Sequence, residues 1–347
     1  MRAFGYLFAF FPALLFLISL ESSGILAWLC VGVVFIIIPI LEWLIGVRNN
    51  QLTTEQLKLR SQDKRFDLVL YALVPVQWVL ILIFGNFFSI IPISNWGFEE
   101  WGKIMGMGIL CGSYGINVAH ELGHRNSKME QKMAQSLLLT SLYMHFFIEH
   151  NRGHHKHVAT PEDPSTARLN EPVQLFWMRS MFQTWVKSWQ LEFERLKREN
   201  LPRFHYSNQM LQFQLIQLIY MGIVYLLFGG NGFTALLIAA FIGAVLLETI
   251  NYIEHYGLLR KKTAQGYYEL VETKHSWNSN HLIGRLLLFE LSRHSDHHYK
   301  SHKKYQELQS APEAPQMPTG YPGMMVLSMI FPLWFWMMNK RVAQFNS

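Results

Sequence analysis

Apolar residues in this chain are clumped into long blocks separated by short polar connections. The blocks run over about 5–20, 24–47, 67–91, 99–119, 211–229 and 233–252. Several reach or approach the ~20 residues that an α-helix needs to cross a bilayer. A large soluble core rarely needs so many blocks of this length. The pattern therefore predicts an all-α fold, a six-span integral membrane helical bundle formed by a single domain over 1–347.

The charges between the blocks set the expected orientation. Arg2 places the N-terminus in the cytoplasm by the positive-inside rule. The loop with Arg48, Lys58, Arg60, Lys64 and Arg65 is basic and reads as cytoplasmic, whereas 95–100 is acidic and reads as external. The segment 132–148 is also apolar, but if it crossed, His150 would lie on the opposite side of the membrane from His124. It is read as a buried or interfacial helix. The last two spans form a hairpin turning at Phe228-Gly229-Gly230-Asn231-Gly232, a run of strong breakers. Residues 324–338, interrupted by Pro332, read as re-entrant or lying on the membrane surface. Segments 120–208 and 253–347 and both termini are then cytoplasmic, the orientation expected in a bacterial inner membrane.

Composition narrows the function. Only 16% of residues are charged, against about a quarter in soluble domains. The net charge of +6 arises from basic residues between apolar blocks, where membrane topology calls for them, so it does not point to nucleic acid. Cys30 and Cys111 sit inside apolar stretches; two thiols cannot form a four-thiolate centre or a disulfide framework. The first block has a basic start but no convincing cleavage site after it, and reads as a retained span.

The chain holds 15 histidines, and their placement matters more than their number. His120 and His124 are one helical turn apart at the end of the fourth span. His150, His154 and His155 form H-x3-HH; His294, His297 and His298 form H-x2-HH; His255 closes the sixth span. Neutral imidazole binds iron, zinc and copper, and a spacing of three or four lets two rings meet one ion. Nine imidazoles exceed the capacity of one ion and suit two. HELGH at 120–124 also matches a zinc-protease signature, but the other two clusters have no role in that chemistry. A metal transporter, a non-enzyme reading, would hold its ligands near the midplane of the spans rather than at their ends.

The segments HELGH at 120–124, EHNRGHHKHVATPEDPSTAR at 149–168, NYIEHYGLL at 251–259, HSWNSNH at 275–281 and LSRHSDHH at 291–298 resemble the membrane alkane monooxygenase (alkane ω-hydroxylase) family. That family lies within the integral-membrane desaturases and hydroxylases. PQMPTGYPGMM at 315–325 and PLWFWMM at 332–338 fit as well, and NYIEHYG separates the family from ordinary acyl desaturases. The resemblance implies a histidine-rich di-iron cap. Its two non-haem irons would be held by His120, His124, His150, His154, His155, His255, His294, His297 and His298, with no catalytic side chain beyond the centre. The activity implied is hydroxylation of the terminal carbon of medium-chain n-alkanes to 1-alkanols, with dioxygen as co-substrate. Electrons would come from a separate rubredoxin and its reductase. Sister activities on a methyl-arene, terpenoid or acyl lipid form the alternative. Gly123, Arg125, Ser292 and Gly284-Arg285 depart from the family pattern without removing a ligand.

Carboxylates able to accept the second imidazole N–H are Glu121, Glu149, Asp163, Glu248, Glu254 and Asp296. Glu248 shares a helical face with Asn251 and His255. Asp163 and Arg168 are expected to pair and fix their loop. A hydrocarbon substrate partitions into membrane lipid, so Ile38, Trp43 and Leu44 stand as channel-wall or lipid-facing positions. Arg293, Lys300, Lys303 and Lys304 read either as a docking patch for an acidic electron donor or as positive-inside charge. His145, His157, His205, His275, His281 and His302 are set aside as structural residues, as residues that support the ligands from behind, or as surface residues.

Overall fold

Blocks this apolar can satisfy their backbone polar groups within lipid only by forming helices, and helices are what they form. The computed structural model describes residues 3–49 and 51–345. Arg2, which oriented the N-terminus above, lies outside them. α1 (Ala3–Glu21) and α2 (Gly24–Ile45) form a hairpin. The short polar α3 (Thr54–Gln62) follows, opened by a reciprocal capping box between Thr53 and Gln56. α4 (Arg65–Ser89) runs back. α5 spans 98–123, with a π-helical middle at Cys111–Val118. Then come α6 (Lys128–Thr140), α7 over 146–157, and α8 (Val173–Arg198).

α9 (Gln209–His255) has 47 residues. A straight helix of that length would measure about 70 Å, more than twice the hydrocarbon layer. Gly229, at φ 62° and ψ −172°, breaks it into two arms, inside the predicted breaker run. The chain ends with α10 (Leu282–Leu287), α11 (His294–Tyr299), α12 (Tyr321–Ser328) and α13 (Phe331–Val342). Among the described residues there are isolated β-bridges but no strands.

Among the described residues, four helices are long and apolar enough to cross a membrane: α1, α2, α4 and α9. α12 and α13, bent by 120°, would make a fifth if taken as one broken span. The bend falls at Met329–Ile330, and Pro332 sits in the first turn of α13 rather than at the break. α5 is not among the four, because glycines and polar residues dilute its apolar content, although it is largely buried. α6, with 13 residues, reaches only about 20 Å, consistent with a segment that does not cross. Outward-facing Leu14, Ile18, Ile36, Val79, Leu82, Leu218 and Leu226 are exposed, the surface of an integral membrane protein.

α9 packs along α4 and α5. At the α5–α9 crossing the backbones approach through small residues. A Cβ on Gly108 would lie 2.4 Å from the Ile242 side chain, and one on Gly243 would lie 2.6 Å from Cys111 Cβ and 3.0 Å from backbone atoms of Cys111 and Gly112. Van der Waals contact of this kind drives helix association where lipid removes the hydrophobic incentive. Gly243→Val is therefore expected to force the helices apart, at a cost of about 1–3 kcal/mol. A lower thermal midpoint in detergent is the expected readout; a midpoint equal to the parent's would contradict this close approach.

Candidate metal centre

His120 and His124 lie on the last turn of α5, His150, His154 and His155 on α7, His255 at the end of α9, and His294, His297 and His298 on α11. The imidazoles of these four elements converge in two groups. His120, His124, His150, His155 and His297 form one; His154, His255, His294 and His298 form the other. Within each group the ligand atoms lie within 4.8 Å of one another.

The contacts are between Nε2 atoms. They measure 3.0 Å for His120–His297, 3.1 Å for His124–His150, 3.0 Å for His150–His155, 3.2 Å for His154–His298 and 3.1 Å for His255–His294. Two imidazole nitrogens each about 2.1 Å from one ion and at right angles to it are about 3 Å apart, so the spacing suits a metal. It does not suit charged rings. Burial, the main cause, holds His124, His150, His155, His294, His297 and His298 well below the ordinary histidine value. They are therefore neutral at physiological pH, the form that ligates.

Helical spacing of three or four was expected to send neighbouring rings to one ion. That holds for His120 with His124 and for His294 with His298. It fails for His294 with His297, and it fails for His150 with His154, which go to different groups, while His150 and His155, five apart, share one. The reason is local winding: His150–His154 is π-helical, so the i+5 position stands above position i. π-turns are rare and concentrate at functional sites. The ring of His150 is further fixed by stacking on Phe146, with centroids 4.6 Å apart.

Of the six candidate carboxylates, two reach these imidazoles. Asp163 Oδ2 lies 3.0 Å from His154 Nδ1 and accepts the Thr166 hydroxyl at 2.6 Å. Glu254 Oε2 lies 3.2 Å from His294 Nε2, on the side where the nitrogens of its group converge, and its other oxygen accepts from the Tyr321 hydroxyl at 2.7 Å. Asp296 instead holds Lys303 and the Gln309 amide. Glu121 holds Arg125 and the Tyr305 amide. Glu149 Oε1 is buried without a partner. Glu248 bonds Tyr143 and Asn251. None of these four bonds a histidine of the two groups among the described residues.

Other expectations need correction. Asp163 does not pair with Arg168. The loop is held by Arg179, which donates to the carbonyls of Pro164 and Thr166 while pairing with Glu171; its distance in sequence concealed that role. Arg293 is buried rather than available for docking, Lys303 pairs with Asp296, and Lys304 pairs with Asp67; of the four, Lys300 is the exposed one. Trp43 and Leu44 face outward, as the lipid-facing reading has it, and Ile38 is buried away from the cavity. The cavity that reaches the histidines has Val34 and Phe35 of α2 in its wall instead, with Ile109, Leu246 and Ile250, and it ends on His120, His150, His294 and Glu254. Tyr321 was missed as a site residue although it lies in the quoted motif at 315–325. Gly284 and Arg285 have defined tasks: the Gly284 amide donates to Glu42 at 2.8 Å, and Arg285 pairs with buried Glu290 at 2.7 Å.

The outer histidines have ordinary partners: His157 with Glu162, His275 with Glu269, His281 with Ser279 and His205 with Ser207.

The signature of the fatty acid desaturase family matches residues 101–328. Alkane 1-monooxygenase 1 of Pseudomonas aeruginosa is 39% identical, over 90% of this chain and 82% of its own length. Alkane 1-monooxygenase 2 of Alcanivorax borkumensis is 36% identical, over 99% of this chain and 92% of its own. The xylene/toluene monooxygenase hydroxylase component of Pseudomonas putida is 30% identical, over 79% and 73%. With its imidazoles gathered at the helix ends, and with similarity of this extent along nearly its whole length, the chain belongs to the alkane 1-monooxygenase family of membrane proteins, within the fatty acid desaturase family.

Proposed function

We propose that this protein is a membrane di-iron monooxygenase that hydroxylates the terminal carbon of medium-chain n-alkanes, with electrons supplied by rubredoxin and its reductase. One observation carries the reading: a narrow apolar cavity of about 90 Å³ ends on His120 and His150 of one imidazole group and on His294 of the other. An unactivated chain held there would present its end to both groups. In this reading the nine histidines hold two irons, which supply the dioxygen chemistry that side chains cannot. The protein's own residues position and exclude. Asp163 holds the His154 ring, Tyr321 orients Glu254, and Val34, Phe35, Leu246 and Ile250 keep water from the substrate. The proposal also takes the chain as one domain with six crossings, counting α5 and both arms of α9, and with its histidine end and both termini in the cytoplasm of a bacterial inner membrane.

A second reading, hydroxylation of a methyl-arene, draws support from the similarity to the xylene/toluene enzyme component. Product analysis under labelled dioxygen separates the two. Membranes with rubredoxin, its reductase and NADH are expected to yield labelled 1-alkanol from n-alkanes. Labelled benzylic alcohol alone would move the substrate to arenes, and unlabelled alkene would indicate a desaturase.

The ligand assignment predicts two irons per purified chain, measured by elemental analysis. His255→Ala is expected to lose turnover and metal while remaining in the membrane, and full activity in that variant would refute the assignment. Asp163→Asn should weaken metal retention or turnover about 10- to 100-fold, the usual effect of losing the partner that orients a ligand. A chelator titration that superimposes on the parent's, with parent turnover, would remove Asp163 from this role.

A further inference from the structure

The outer face of α8 carries exposed Leu175, Met178, Phe182 and Trp185. Its inner face presents Ser180, Thr184, Ser188 and Glu192, four apart and all buried. Burying such groups is costly unless they meet polar partners, and the partners are specific. The Ser188 hydroxyl donates to the His145 carbonyl at 3.1 Å. The Thr184 hydroxyl donates to the Ser180 carbonyl at 2.8 Å. The Tyr143 hydroxyl donates to Glu248 Oε1 at 2.7 Å, and the Asn251 amide donates to Glu248 Oε2 at 3.3 Å. Glu248 is 1% exposed. An acid inside an apolar span is a functional candidate by default.

This chain of bonds joins two cavities. Tyr143 and His145 line a groove of about 490 Å³ between α8 and α9, whose other walls join Gln214 and Gln217 to apolar Met181, Phe182, Leu237 and Phe241. Asn251 lies in the wall of the apolar cavity that ends at the imidazole groups. Glu248 stands between them. The buried His145 Nε2 has no hydrogen-bond partner among the described residues, and groups of this kind are satisfied by ordered water.

Hydroxylation of a C–H bond places one oxygen atom of dioxygen in the product alcohol and the other in water. It consumes two electrons, from an external reduced carrier protein, and two protons. Those protons must reach a cavity whose wall is mostly apolar, with Ser113, Asn117, Asn251, Glu254 and Tyr321 as its polar groups beside the imidazoles. We propose that Glu248 is the proton-relay residue of this reaction, resupplied from the groove past Tyr143 and held toward the cavity by Asn251. The proposal rests on the oxygenase reading above. Glu248 acts through solvent and cavity and is a positioning residue in the strict sense, since it touches neither substrate nor metal ligand.

The test uses the iron-loaded protein in membranes. Glu248→Gln preserves the side chain's shape but removes its ionisable proton. It is expected to keep its iron, to lose at least about tenfold in product formation, to release more peroxide per oxygen consumed, and to show a larger solvent deuterium isotope effect. Glu248→Asp is expected to recover part of the rate. Parent values of rate, coupling and isotope effect in Glu248→Gln overturn the proposal. Should that variant lose its iron, Tyr143→Phe leaves the carboxyl in place and carries the test: slower turnover with more peroxide supports the relay, and parent values overturn it. In metal-free protein a membrane-soluble carbodiimide should modify Glu248, more slowly when Ala240→Trp narrows the groove; no modification at Glu248 overturns the path. A parent chain that yields no oxygenated product removes the oxygenase reading and the relay with it. Normal parent turnover beside an unaffected Glu248→Gln removes the relay alone.

Discussion

Two imidazole nitrogens that serve one ion must lie about 3 Å apart, and in this protein that demand falls on residues as distant in sequence as His120 and His297. The rest of the architecture follows from meeting it. Lone pairs crowded so closely tolerate no extra protons, so the rings have to be buried and neutral. Their helices have to bring these residues to one place, and the connecting segments have to be held without freedom to drift. A misplacement of one ångström would already exceed the tolerance of such a site.

Long membrane helices are suited to that task because their ends are fixed by packing along their whole length. α5 and the second arm of α9 meet backbone to backbone through Gly108, Gly112 and Gly243, and they deliver His120 and His255 from adjacent ends. Gly112 also lies on the wall of the apolar cavity, so the residues that permit close packing sit directly beside the route to the histidines. α7 contributes differently. Its π-winding turns one short stretch of chain toward two imidazole groups at once, which a regular α-helix with the same sequence would not do.

The segments beyond the spans dock through an apolar cluster in which Trp277, Tyr321, Met324 and Trp334 pack with Tyr252 and Tyr256, and buried polar contacts add to it. Arg125, whose side chain is 6% exposed, reaches Glu121 at 2.7 Å and Asp67 at 3.3 Å, and the Tyr305 amide donates to the same Glu121. Arg285 and Tyr6 both hold Glu290. Glu42 in α2 receives the Gly284 amide, and its carboxylate fills the space where a Cβ on Gly320 would stand. Buried ions repay their desolvation only when geometry and additional hydrogen bonds are good. Such contacts specify position more than they add stability, and position is what a multi-histidine site requires.

The helical blocks, the turn near Gly229 and the nine converging histidines were legible in the sequence, because hydropathy acts locally and because imidazoles spaced for ligation at helix ends have few other uses. Family resemblance added the chemistry those histidines serve. What the sequence did not reveal depends on through-space neighbours or on backbone winding. The division of His150, His154 and His155 between two groups follows from a π-turn, which leaves no hydropathic trace. Asp163 and Asp296 were equally candidates in the sequence, and only packing decided that one meets His154 while the other meets Lys303. Arg179, Tyr143 and Tyr321 owe their roles to residues far along the chain, and the cavity wall fell to Val34 and Phe35 rather than Trp43 because the rotation of α2 is set by its neighbours. Local chemistry determined which elements form and which side chains matter; tertiary structure decided which of them touch, since contact depends on helix rotation and register, to which the one-dimensional pattern is blind.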